Sequence, residues 1–167
     1  METNFEDYVI QQAPSLAAKA GPTWFLLMCM DYRYAHRVVD LMDREGLRGK
    51  YDVFVLAGAA AGANEEPDWL KVLVTHVKTA RELKHHIERI MILEHRDCGA
   101  YKKFFGLDWA NVKPPEELAE HLREVRRLTP VLKDALRDPD YPELEVVSFL
   151  LARDQDDPLE IEDHKHS

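Results

Sequence analysis

Cysteine is scarce in this chain, occurring only at Cys29 and Cys98 among 167 residues. Two thiols, together with an acidic start (Met1-Glu2-Thr3-Asn4-Phe5-Glu6-Asp7) that lacks a basic, apolar leader, argue against a disulfide-stapled secreted domain. The expectation is reduced thiols in a cytoplasmic protein. No apolar run approaches the roughly 20 residues of a membrane span. Positive charge is also in short supply. Lysine and arginine number 22 against 31 aspartates and glutamates, a net charge of -9, and that excess argues against a nucleic-acid partner, which would need a basic patch. No internal repeat is visible, and the length suits a single domain over residues 1–167 with a proper buried core.

What is present is an alternation of strand-like and helix-like segments. Residues 1–21 read as a helical arm. Phe5, Tyr8, Val9 and Leu16 recur at helical spacing, and Pro14 interrupts them, predicting one broken helix or two short ones. Residues 23–30 are apolar almost throughout, as in a strand covered on both faces. A helix is predicted over residues 34–47 and a strand rich in β-branched and aromatic residues over 51–56. A small-residue loop over 57–64 permits close backbone approach. A helix over 67–86 follows, with Pro67 in its first turn, and then a strand from Arg89 that stops at His95. A long helix over 115–137, kinked or split at Pro130, precedes a fourth strand over 145–151. Residues 154–167 are acidic and poor in bulky apolar side chains, which reads as a mobile tail or one that orders only against a partner. This order predicts an α/β fold: a central, mostly parallel sheet of about four strands flanked by helices.

In such sheets ligands gather beyond the carboxyl ends of the strands. Both cysteines stand at places where an apolar run stops, in Cys29-Met30-Asp31-Tyr32-Arg33 and in His95-Arg96-Asp97-Cys98-Gly99. Thiolate and imidazole suit Zn2+, and three protein ligands leave one tetrahedral position open. Cys29, His95 and Cys98 are therefore the candidate ligands. Read as extended chain, Cys29, Asp31 and Arg33 follow a period of two and point to one side. Arg33 can grip Asp31 with paired hydrogen bonds and keep it ionised. Asp31 then either orients a zinc-bound hydroxide or swings in as a fourth ligand that closes the site.

The pattern Cys29-x-Asp31-x-Arg33 with His95-x-x-Cys98-Gly99 resembles the signature of the β-class carbonic anhydrases, in register over about residues 23–152. The resemblance implies a zinc enzyme that reversibly hydrates carbon dioxide to bicarbonate. It implies Cys29, His95 and Cys98 as metal ligands, and Asp31 with Arg33 as the dyad that orients the hydroxide. It also implies a homodimer or higher homo-oligomer, with the residues before Pro22 embracing a neighbouring subunit. No nucleic-acid or membrane partner is expected.

This chain departs from the family pattern around the pocket. Tyr32 stands where serine is usual, Glu94 where glycine precedes the histidine, and Leu56-Ala57-Gly58-Ala59 lacks the asparagines of Asn-Ala-Gly-Asn. Gly58, Ala59 and Tyr32 are thus candidate pocket walls, and a different heterocumulene, carbonyl sulfide or carbon disulfide, is an alternative substrate. A noncatalytic, zinc-stabilised oligomeric domain is a second alternative. Plainer readings exist for single residues: buried inert thiols, and an Asp31–Arg33 ion pair that merely ends a strand. Tyr34, His36 and Tyr101 lie close enough to the motifs to line the pocket or shuttle protons. His85 and His86 read as cations closing a helix, and His76 and His121 as surface or boundary residues of amphipathic helices.

Overall fold

The computed structural model describes residues 3–152 and 157–161. Helix α1 (Phe5–Ala17) leads into β1 (Trp24–Met28), α2 (Tyr32–Arg44) and β2 (Tyr51–Val55). The short α3 (Ala60–Glu65) and α4 (Pro67–Glu82) precede β3 (Arg89–His95), α5 (Gly99–Phe105) and α6 (Pro114–Ala135). β4 (Glu145–Leu151) and β5 (Asp157–Ile161) complete the described chain. The sheet order is β2-β1-β3-β4-β5. The first four strands are parallel, as their helical crossovers require, and β5 runs antiparallel to β4. The α/β class and the parallel sheet match the sequence reading. β5 does not, because part of the expected mobile tail pairs with β4; residues 153–156 and 162–167 lie outside the described residues.

Side-chain alternation along the strands builds two cores. Phe25 and Leu27 of β1, Ile90 and Ile92 of β3 and Val146 and Leu150 of β4 pack with Leu73 and Val77 of α4 and Val125, Leu128 and Leu132 of α6. The intervening residues Trp24, Leu26, Met28, Met91, Leu93, Val147 and Phe149 pack on the other face with α1 and α2. The residues before Pro22 thus cover this chain's own sheet. Phe5 and Tyr8 lie 5.6 and 5.2 Å, ring to ring, from Phe149.

Several boundaries differ from the sequence reading, each for a local reason. α1 and α6 run unbroken through Pro14 and Pro130. Buried Val9, Ala13 and Leu16 around the first proline, and Leu128 and Leu132 around the second, supply tertiary packing that outweighs one lost backbone hydrogen bond each. α4 ends at Glu82, so His85 and His86 lie beyond it, and His85 Nδ1 instead meets Asp52 Oδ2 at 2.7 Å. Within the small-residue segment, residues 57–59 form a tight turn and α3 starts at Ala60. Among the described residues no helix is long and apolar enough to cross a membrane.

The turn before α3 is packed so closely that side-chain volume is excluded. A Cβ on Gly62 would stand 2.1 Å from the Ala57 carbonyl oxygen and 3.2 Å from the Trp69 ring. Gly99, at the start of α5, has open space and an ordinary φ. Gly62→Ala should therefore lower stability by about 1–3 kcal/mol or more, whereas Gly99→Ala should be close to neutral. Urea unfolding midpoints test this, and equal midpoints for the two variants would contradict the packing described.

Candidate metal centre

Parallel pairing sets Met28 of β1 opposite Leu93 of β3, so both strands end side by side. Cys29 follows β1 directly and His95 is the last residue of β3. His95 continues the face of Met91 and Leu93, and its ring stacks on Tyr34 of α2 at 4.7 Å. Cys29 clusters with Cys98, Ala61 and Tyr101. Two strand ends therefore bring candidate ligands together around the end of the sheet. Between His95 and Cys98 the chain reverses through Asp97, whose φ of 56° is in the left-handed region that aspartate tolerates better than most residues. Cys98 then caps α5.

Among the described residues, Cys29, His95 and Cys98 form the one group of this kind able to hold a metal ion, their ligand atoms lying within 4.8 Å of one another. The two sulfurs are 3.9 Å apart. Tetrahedral zinc with bonds of about 2.3 Å would set them roughly 3.8 Å apart. His95 donates from Nδ1 to the Arg96 carbonyl at 2.9 Å, which fixes the tautomer and leaves the Nε2 lone pair free. Nε2 is buried without a hydrogen-bond partner among the described residues. An orphaned imidazole nitrogen beside two convergent sulfurs is a donor set that fits zinc. The thiols are themselves polarised. The hydrogen bond between them lowers the pKa of Cys29 and raises that of Cys98, while burial pushes both upward.

Asp31 faces the same corner, with Oδ2 3.8 Å from His95 Nε2. The extended arrangement of Cys29, Asp31 and Arg33 is not what forms. α2 begins at Tyr32, Asp31 is its N-cap, and Arg33 lies in its first turn. The cap brings the same partners together by another route. Asp31 Oδ1 accepts from the Arg33 backbone N–H at 3.0 Å and from Arg33 Nε at 2.9 Å, and Oδ2 accepts from the terminal nitrogen Nη2 at 2.7 Å. The side-chain bonds of Arg33 hold the Asp31 carboxyl down at about 2, against the opposing effect of burial. The same nitrogen of Arg33 also reaches the Asp97 carbonyl at 3.1 Å.

Other residues hold this arrangement, in roles that the sequence did not reveal. Glu117 of α6 accepts from the Asp97 N–H at 2.7 Å and from the Arg96 guanidinium at 3.0 Å, pinning the turn between two candidate ligands. Trp109 donates to the Cys98 carbonyl at 2.9 Å. The Gly58 N–H points at the Cys29 sulfur at 3.3 Å. Glu94 and His121 are fully buried and share a hydrogen bond of 3.0 Å, so His121 is a core residue rather than a surface one. The signal that was available is the parity of β3, which sends Glu94 into the core opposite His95.

A cavity of about 340 Å³ opens beside Cys29 and Asp31. Met30, Ala57, Trp69, Ala100 and Phe104 form its apolar lining, with Gly99 and Lys103. Of the candidate wall residues, Tyr32 is 81% exposed and Ala59 fully buried, and neither they nor Gly58 belong to this lining. Tyr34 and Tyr101 are buried beside His95 and Cys98 respectively, whereas His36 is exposed.

Comparison with known proteins bears on this geometry. A protein-family model described as "Putative carbonic anhydrase" matches residues 22–138. An uncharacterized protein of Rickettsia bellii is 31% identical over 131 residues, covering 77% of this chain and 76% of its own length. Among solved structures, limiting CO2-inducible protein LCIB superposes with a TM-score of 0.54 at 12% identity, over 95% of this chain and 89% of that chain. That likeness is one of fold. β-Carbonic anhydrase isoform I of Trichomonas vaginalis aligns over 84% of this chain and 85% of its own, with a TM-score of 0.48 and 16% identity. On the family match over residues 22–138 and the rickettsial kinship, this α/β chain belongs to the family described as "Putative carbonic anhydrase".

Proposed function

We propose that the protein catalyses the reversible hydration of carbon dioxide to bicarbonate at a zinc ion held by Cys29, His95 and Cys98. The observation that carries this reading is the convergence of two sulfurs and an unpartnered imidazole nitrogen on a corner faced by the Arg33-bound Asp31. When bound, zinc supplies a Lewis acid that brings the pKa of a coordinated water down to about 7. Asp31, held by Arg33 in an acceptor-only state, orients the reacting water by taking its hydrogen bond. The paired bonds from Arg33 engage both oxygens of the Asp31 carboxylate, so Cys29, His95 and Cys98 would hold zinc and Asp31 would remain available to a reactant. Met30, Ala57, Trp69, Ala100 and Phe104 give a small linear, uncharged molecule an apolar approach and exclude competing water. Lys103, on the rim of the same cavity, offers a positive charge to the departing anion.

The apolar lining also favours a second reading. Carbonyl sulfide or carbon disulfide would use the same water, acceptor and walls, with sulfide as a product. Either reading carries a homo-oligomer. Its support in this chain is the edge strand β2, which leaves Val53 and Val55 about half exposed.

Stopped-flow carbon dioxide hydration on metal-quantified protein should show turnover that scales with bound zinc and rises with pH. Zinc-replete protein that releases sulfide from carbonyl sulfide but leaves carbon dioxide untouched would transfer the assignment to the second reading. Zinc-replete protein inactive on all these substrates would favour a noncatalytic domain. Cys98→Ser should lose zinc, whereas Asp31→Ala should keep it and lose about 10²–10⁴-fold in turnover. Equal metal loss in the two variants, measured by atomic emission, would remove Asp31 from its orienting role.

The pH dependence has a definite sign. The folded-state pKa of Asp31 is depressed from 3.8 to about 2, so its stabilising contribution is complete above about pH 4 and is lost as pH falls through 2. Asp31 therefore supplies no activity limb between about pH 5 and 9. An NMR titration of the Asp31 carboxyl carbon that found a midpoint above 5 would contradict this. Sedimentation velocity should show a species larger than the monomer, and Val53→Lys should shift it toward monomer.

A further inference from the structure

We propose that Glu94 and His121 are positioning residues for the metal centre: together they hold the turn over residues 57–61 so that the Gly58 N–H reaches the Cys29 sulfur. The inference rests on the reading of Cys29 as a metal thiolate. Neither residue touches the metal or the substrate. Their effect passes through the backbone of the turn.

The argument begins with the parity of β3. Ile90 and Ile92 face α4 and α6, and Glu94 continues that face one residue before His95 turns to the other. A carboxyl group is thereby delivered into the core at 0% exposure, where it has to be paired. Both of its oxygens are. Oε1 accepts from the Ala60 N–H at 2.7 Å, and Oε2 accepts from His121 Nδ1 at 3.0 Å. The Ala60 N–H is the first of α3 and has no partner within that helix, so the carboxyl satisfies a group the helix leaves orphaned. The His121 ring in turn packs in a cluster with two aromatic rings, 4.2 Å from Tyr101 and 5.9 Å from Trp109.

Immediately before Ala60 the backbone is strained. Ala59 has φ 40° and ψ -103°, a conformation that a residue with a Cβ avoids. Gly58 precedes it at φ 75°, and a Cβ there would meet that of Ala100 at 2.7 Å. Two successive residues with positive φ need an outside support. The turn's own bonds, Ala59 N–H to Leu56 and Ala61 N–H to Gly58, each 2.9 Å, run within the segment. Glu94 anchors it to the sheet and His121 anchors Glu94 to α6. The product of this strain is the aim of the Gly58 N–H, buried and 3.3 Å from Cys29 Sγ. An N–H donor on a metal thiolate draws charge from the sulfur, which makes the metal a stronger acceptor and secures the ligand's orientation.

Cobalt-substituted protein tests this through its sulfur-to-metal charge-transfer band, which reports charge on the sulfur rather than fold stability. Glu94→Leu, lacking an acceptor for Ala60, should move the band to longer wavelength and weaken cobalt binding about tenfold or more. Glu94→Gln keeps an oxygen for Ala60 and should restore the wild-type band. Should Glu94→Leu fail to accumulate as folded protein, His121→Phe fills the same space beside Tyr101 and Trp109 without Nδ1, and a shift in the same direction is expected. A band and affinity unchanged in the variants, with only a lowered melting temperature, would overturn the inference and leave Glu94 a structural residue. A wild-type protein that binds cobalt without any sulfur charge-transfer band would overturn the metal-thiolate reading, and this inference with it.

Discussion

Everything at the candidate centre depends on the parallel register of β1 and β3. With Met28 beside Leu93, the chain leaves the sheet at neighbouring points, and the residues that follow are a cysteine on one strand and a histidine within reach on the other. A slip of one residue would reverse the facing of every side chain in β3. It would turn His95 into the core now occupied by Glu94 and bring Glu94 to the metal corner. The register is held by apolar packing on both faces of the sheet. The site's accuracy is thus inherited from core packing that lies well away from it.

Around that register the polar groups form a shell of backbone anchors. Glu117 and Arg33 hold the amide and the carbonyl of Asp97, Trp109 holds the carbonyl of Cys98, and Glu94 holds the amide of Ala60. Two of these anchors come from α6 and the segment that precedes it, and the other two from α2 and β3. The loops around the candidate ligands are short, with positive φ at Asp97 and Ala59, and surrounding helices and β3 supply what the loops cannot hold by themselves. Loops on a rigid scaffold are where chemistry is usually found, and here much of the rigidity arrives as hydrogen bonds to main-chain atoms.

How much of this could be read from the chain follows from the range of each interaction. The strands were legible because apolar runs such as residues 24–28 and 90–93 need no distant information to be recognised. The clustering of Cys29, His95 and Cys98 was legible because rare residue types mark it. The Asp31–Arg33 contact was anticipated, but its geometry was not: a helix cap and an extended strand both bring residues two apart together, and the deciding factor is where α2 starts. Pro14 and Pro130 misled for a related reason, since local propensity opposes a helix that tertiary packing restores. His121 was unreadable. Its partner is 27 positions away, and only the folded sheet shows that Glu94 points toward it. β5 was hidden by an acidic composition that conceals its backbone pairing with β4.

The double grip of Arg33 has a further consequence, best put in genetic terms. One guanidinium holds both the Asp31 carboxylate and the carbonyl of the turn between His95 and Cys98. Replacing it disturbs two functions in a single step, so its phenotype should resemble a double mutant. A suppressor that rebuilt only the acid's support, or only the turn's, would restore one half of the defect. Reversion at such a position therefore favours a return to arginine itself, because lysine's single point of charge cannot span both partners with the same fork.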